Sequence, residues 1–298
     1  MFHDVTDLLI ACYCFLADSM EKLFSSRSLR RSGPSPALTD AEVLTIAVVA
    51  ELLGHHTDKA IWLFARSSWR TFFPRLGSRS AFVRQLAGLW SAVQSIQTLL
   101  VRWLQLKQEC FHIVDGFPIR ICRLARGGRC RLFRGDATFG YCAAQKESFY
   151  GFKGHVVITE DGWIVGTTVA AANVDEREAA LDCVEGLFGW LIGDKGYIGQ
   201  DFYAMLGREG LVMRTPLRKK MVDPDDDWKE ERFGARRRRV ETVIEQLVDG
   251  FGLSKINARD LWHLTARVGR KVLAHTLGNL LCWKAEMLPT QHEKLIVG

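Results

Sequence analysis

The sequence predicts a mixed α/β fold, an all-helical amino-terminal domain followed by a five-stranded mixed sheet with helices packed on it. Three observations carry this. Apolar residues recur at helical spacing through roughly the first hundred residues. From Cys110 onward, short runs rich in β-branched and aromatic residues alternate with turn residues. Helical stretches then separate the later runs, as they do where crossovers link strands of one sheet.

The elements follow in order. Residues 4–24 read as one helix with Asp4 as its cap. Ser25 to Ala37 is rich in Ser, Arg, Gly and Pro and reads as a linker. Thr39 with Glu42 fits a capping box, and its helix should reach about Leu53, where Gly54 ends it. Further helices are expected over Lys59–Ala65, Arg79–Leu89 and Val93–Leu106. Phe111 to Gly116 reads as a strand ending in a carboxylate and a turn. Phe149–Thr159 and Trp163–Ala171 form a hairpin around Glu160-Asp161-Gly162. A helix is expected from Asp175 to about Phe188, a short strand over Trp190–Asp194, a helix over Gln200–Arg208 and a strand over Leu211–Thr215. Residues 216–235 read as a loop insertion, followed by a helix from about Arg236 to Asp249 and at least one more between Arg259 and Lys284. This places one domain over 1–107 and a second over 108–298.

Composition narrows the function classes. With 298 residues, 48% hydrophobic and 25% charged, long-range disorder is not expected. A net charge of +6 favours polyanionic partners without naming one. The eight cysteines show no C-x-x-C pair and read as reduced thiols of an intracellular protein. Val5 to Met20 is apolar, but Asp7 and Asp18 interrupt it and no basic residues precede it. Neither a signal peptide nor a membrane span is expected there.

The acids point to chemistry. Asp115 closes the first strand, Asp194 closes the fourth, and Glu241 lies near the start of the late helix. The strand and helix order is that of a ribonuclease H-like fold, in which the first and fourth strands are neighbours. Their ends would set the two aspartates side by side, and the late helix could bring Glu241 to both. Carboxylates held so close repel unless a cation sits among them. Mg²⁺ takes such oxygen ligands, and two ions can serve phosphoryl transfer. Glu245 lies one turn beyond Glu241 on the same helical face and competes for the third place.

These residues carry a family resemblance. The stretches IVDGFPI around Asp115, YGFKGHVVI at 150–158, IGDKGYIG at 192–199 and RRRVETVIEQL at 237–247 resemble the DDE transposases of bacterial insertion sequences. The likeness covers roughly residues 39–283. It departs at Gly234 and Val248, where relatives often carry a tyrosine and a basic residue. The resemblance implies a ribonuclease H-like catalytic domain with Asp115, Asp194 and Glu241 catalytic and holding two Mg²⁺ or Mn²⁺ ions. Those residues would nick the terminal inverted repeats and join the freed 3′-OH to target DNA. It further implies a homodimer or larger assembly, working in the bacterial cytoplasm on nucleoid DNA. A metal-dependent nuclease without strand joining and a decayed DNA-binding regulator are the alternatives.

Other polar residues divide between bland and functional readings. Asp136 and Asp161 suit turns. Asp175 with Glu178 suits a helix cap rather than a metal. Asp223 to Asp227 reads as a solvated loop. Arg236, Arg237, Arg238 and Arg239 would sit at a helix start, where cations are unfavourable, so phosphate is their expected partner. Arg237 shares a face with Glu241 and could orient it. Lys153, His155, Lys195 and Tyr197 are candidate DNA contacts near the acids, with a core histidine an equal reading for His155. Arg214, Arg218, Lys219 and Lys220 form a second basic patch. Arg27 to Arg31 is basic enough to touch DNA. The amino-terminal helices could recognise element ends or make dimer contacts.

Overall fold

The computed structural model describes residues 2, 4–25, 29, 35–143, 145–216 and 230–296. The expected basic contacts Arg218, Lys219 and Lys220, the Arg27–Arg31 loop apart from Leu29, and the acidic run Asp223–Asp227 lie outside the described residues. Two compact units divide the chain. One joins Met1–Leu100 with Leu247–Gly298, and the other is Val101–Gln246. The residues after 247 therefore group with the amino-terminal helices, whereas the sequence placed them with the sheet.

In the helical unit, α1 spans Val5–Phe24 and α2 Asp40–Leu52. Asp4 caps α1 by accepting from the Asp7 amide at 2.9 Å. Thr39 and Glu42 form the reciprocal capping box read from the sequence. α3 spans Asp58–Ser68, α4 Arg79–Gly88 and α5 Trp90–Trp103, with Thr57 and Ser78 capping the first two. α2 is buried almost end to end, because its apolar residues cover every side of the helix.

The second unit holds the sheet. β1 spans Phe111–Cys122, β2 Thr138–Cys142, β3 Glu147–Thr159 and β4 Ile164–Ala171. The short α6 (Glu176–Leu181) is followed by β5 (Gly189–Ile192), α7 (Gln200–Arg208), β6 (Leu211–Arg214) and α8 (Glu230–Glu245). In the helical unit, α9 (Leu261–Lys284) completes the series. The strands run in the order β2-β3-β1-β5-β6, and β4 also pairs with β3. β3 is antiparallel to β1, β2 and β4, whereas β1, β5 and β6 run parallel. Without β2 the path is β4-β3-β1-β5-β6, the mixed five-stranded order expected from the sequence.

Several boundaries differ from expectation, each for a physical reason. β1 runs six residues past Gly116, because β3 continues to pair with it as far as Tyr150. Pro118 interrupts nothing, since β1 pairs with β5 only over Phe111–Ile113 and is bonded on one edge beyond. α6 stops at Leu181 because the chain drops onto β4. There the Cys183 carbonyl oxygen lies 1.9 Å from where a Gly166 Cβ would stand. Alanine at Gly166 should therefore lower the melting temperature measurably, while alanine at Gly207, with nothing within 4 Å, should not. α8 opens on Glu230 and Glu231, so the four arginines lie well inside the helix rather than at its start. Away from the helix start the dipole penalty lapses, and with it that reason for assigning them phosphate.

Candidate active site

β1 and β5 bring the two aspartates together. Their parallel register ends at Ile113 opposite Ile192, and Asp115 and Asp194 each lie two residues further on. Asp194 thus follows the carboxyl end of β5, while Asp115 lies within β1 just past the stretch paired with β5. The Asp115 carboxylate accepts from the Gly116 amide at 2.8 Å. Asp194 caps a 3-10 turn, Lys195–Tyr197, by accepting from the Gly196 amide at 2.7 Å. Each side chain is therefore fixed by backbone next to it in sequence.

Burial raises the Asp115 pKa most, and the negative charges of Asp194 and Glu176 add to it. The Gly116 amide and the Arg237 guanidinium oppose, and the carboxyl ends pushed up to about 6. A buried carboxylate with two further negative charges close by is a place that a cation would relieve. α8 packs against β1 and β3. It presents Arg237 to Asp115, while Glu241 pairs with Arg237 at 3.8 Å and keeps 58% of its side chain exposed. Among the described residues no three His, Cys, Asp or Glu side chains are grouped closely enough to hold a metal ion. The structure thus joins Asp115 with Asp194 and leaves Glu241, like Glu245, facing solvent.

Glu176 was missed in the sequence, where its neighbours suggested only a cap. Asp175 does cap α6, accepting from the Arg177 amide at 2.9 Å. The next residue, Glu176, receives the Lys153 ammonium at 3.1 Å. Its other oxygen lies 2.3 Å from where a Gly196 Cβ would stand, and an Asp194 oxygen lies 2.9 Å from the same point. Glycine at 196 is what lets both carboxylates approach that turn. Alanine there should displace them and slow cleavage by about 10- to 100-fold. The melting temperature should change little, because both carboxylates are only half-buried and their ends can move. Comparing single-turnover rates with thermal denaturation checks this.

Ladder register places the candidate DNA contacts. Residues opposite one another share a face, so Asp115 goes with Val156 while His155 goes with Gly116 and Lys153 with Pro118. Lys153 and His155 therefore lie on the face opposite Asp115. His155 and Tyr197 are buried, with His155 Nδ1 3.4 Å from the Tyr197 hydroxyl. Burial pulls His155 down to about 4, helped by Lys153, and pushes Tyr197 well above its ordinary value. Both are neutral core groups without surface to offer a phosphate, which fits the core reading of His155 and corrects the expectation of direct DNA contact for Tyr197. Arg236 is engaged by Glu160 and lies over the Phe111 ring at 4.2 Å, and Arg214 lies over Trp190 at 4.9 Å. Lys195 and Arg238 are exposed, and Arg239 is half-buried.

Residues 106–258 match the family model described as a transposase DDE domain. No curated protein matches the chain. Among solved structures, it is similar to the cryo-EM structure of a piggyBac transposase synaptic complex with hairpin DNA. That likeness has 10% identity and a TM-score of 0.48, over 96% of this chain and 78% of that one.

Proposed function

The chain belongs to the transposase DDE domain family, and on that premise we propose that it cleaves the ends of an insertion sequence and joins the freed 3′-OH to target DNA. The observation that supports this most is the placement of Asp115 and Asp194, each two residues past the point where the parallel pairing of β1 with β5 ends. In this reading Asp115, Asp194 and Glu241 hold Mg²⁺ or Mn²⁺, two ions in all. Their hard oxygen donors suit such cations, and the negative charges of Asp194 and Glu176 beside the buried Asp115 favour one at the site. When bound, the ions supply Lewis acidity for the attacking and leaving oxygens of phosphoryl transfer.

The chain's own groups do the rest. The amides of Gly116 and Gly196 fix the two aspartates in place. Arg237 offsets the charge of Asp115 and steadies Glu241 one turn away. Lys195, next to Asp194, and Arg238 are exposed cations for the backbone of the cut strand. A homodimer or larger assembly follows from the need to hold two ends at once. End recognition or dimer contacts are assigned to the helical unit, residues 1–100 with 247–298, and catalysis to residues 101–246.

The test uses purified protein and labelled DNA carrying the ends that flank its gene, with Mg²⁺ or Mn²⁺ against EDTA. Metal-dependent nicking at the boundary should vanish in Glu241→Ala and persist in Glu245→Ala. Precleaved ends should be joined to a target plasmid. Nicking without joining would leave a nuclease. Tight specific binding without nicking in any metal would leave a regulator.

A further inference from the structure

Between β1 and β3 the chain carries an arginine-rich segment that the proposed chemistry does not use. Residues 120–134 contain Arg120, Arg123, Arg126, Arg129, Arg131 and Arg134, and no acidic residue. All but Arg120 are exposed. Among the described residues no carboxylate forms an ion pair with those five. Such a concentration of like charge repels itself and calls for a polyanion.

A second feature adjoins it. On the edge strand β2, Phe139 and Tyr141 are both exposed, at 52% and 56%, while the residues between and beside them are partly covered. Alternation along the strand puts the two rings on one face. The turn that carries Arg126 and Arg129 is held against the first of those rings. Leu124–Arg129 forms a 3-10 turn whose Gly127 is buried, and a Cβ at Gly127 would lie 2.7 Å from the Phe139 ring. Arg126 flanks that glycine on one side, and Arg129 lies two residues beyond it on the other. Phe133 anchors the far end of the segment, edge-on to Phe152 with centroids 5.1 Å apart. The surface is thus a braced structure and not a free tail.

We infer that the face formed by Arg123–Arg134 with Phe139 and Tyr141 binds DNA, the arginines taking phosphates and the two rings taking an unstacked base. This rests on the reading of the chain as an enzyme acting on DNA. Exposed cations interleaved with aromatic rings are what a nucleic-acid strand recognises, phosphate through charge and bases through stacking. The segment also has a defined place relative to the reaction. β1 runs without a break from Asp115 to Cys122, which at about 3.3 Å per residue is roughly 23 Å. At about 3.4 Å per step, that sets the binding face roughly seven nucleotides from the scissile phosphate.

The test is fluorescence anisotropy with the full chain in EDTA, across a KCl titration. The probes are an element-end duplex with blunt ends and the same duplex with a single-stranded extension. Alanine at Arg126, Arg129 and Arg131 together should flatten the salt dependence, by about 0.9 in slope for each phosphate that an arginine no longer neutralises. Lysine at the same three positions should keep the slope. Tyr141→Ala should weaken binding of the extended duplex by about five- to 150-fold and leave the blunt duplex unchanged. Circular dichroism confirms that each variant is folded. Wild-type affinity and slope in the triple-alanine variant would overturn the inference while leaving the functional reading intact. So would loss of self-association with the slope unchanged, which would assign the face to a second copy. Failure of the wild type to bind either probe would overturn the functional reading itself.

Discussion

Alanine at Asp115 or at Asp194 is expected to reduce cleavage of element-end DNA by more than the roughly 100-fold typical of losing a supporting group, and to leave DNA binding intact. The two side chains stand just past the last residues that pair β1 with β5 and are fixed by the Gly116 and Gly196 amides. Neither stabilises a core, so the loss is one of chemistry rather than of fold. Removing a carboxylate also lowers repulsion against a polyanion, so affinity should hold or rise slightly. Asparagine keeps the shape and removes the charge, and it should fail as alanine does. Metal-dependent protection against thermal unfolding should disappear in the same variants. The idea is lost if the variants cleave normally, or if every acid variant loses DNA binding together with cleavage.

What the sequence revealed and what it hid divide along a physical line. The Thr39–Glu42 box, the Asp4 cap, the Glu160-Asp161-Gly162 hairpin and helix α7 were legible because each is written in neighbouring residues. The strand order was legible because alternating strands and helices admit few arrangements. The pairing that carries Asp115 and Asp194 follows from that order. The burial of Tyr197 was not legible, and that of His155 was only one of two readings, since both depend on a strand face meeting the turn after Asp194. Glu176 was hidden for a similar reason. Its ion pair with Lys153 joins residues 23 apart in sequence, and its neighbours carry a local capping pattern that explains the stretch without it. The short strand β2 was hidden by weak alternation, although the arginine spacing before it was there to be seen. Glu241 shows the reverse case. The family pattern points to it, while its side chain faces solvent beside Arg237.

Replacing Glu51 by alanine should destabilise the helical unit by about 3–5 kcal/mol, the cost of leaving buried charges without their partner. Glu51 is almost wholly buried in α2, and it receives Arg270 Nε at 3.0 Å and Lys271 Nζ at 2.8 Å from α9. Arg270 and Arg267 also bind Asp58 at the start of α3, at 2.9 and 2.5 Å. His56 Nδ1 meets Glu51 at 3.0 Å. Against a domain stability of about 5–15 kcal/mol, losing this acid removes a large share. A double variant, Glu51→Leu with Lys271→Met, removes charge from both sides and should recover part of the loss. Burial alone would raise both carboxylates, but the facing cations win, and Glu51 and Asp58 are held below their ordinary values of 4.5 and 3.8. Folded carboxylates with depressed pKa contribute stability above the unfolded value and lose it as pH falls through the folded one. Acid should therefore weaken the wild type below about pH 4.5, and the double variant should be less sensitive there. On the alkaline side the sign differs. Burial draws Lys271 down to about 8 from 10.5, so the unfolded chain binds the extra proton between those values, and this group gives no loss of stability as pH rises. Urea unfolding of the wild type and both variants across acid, neutral and alkaline pH measures all three terms. Equal stability of wild type and Glu51→Ala at neutral pH would show that the network is not holding α2 to α9.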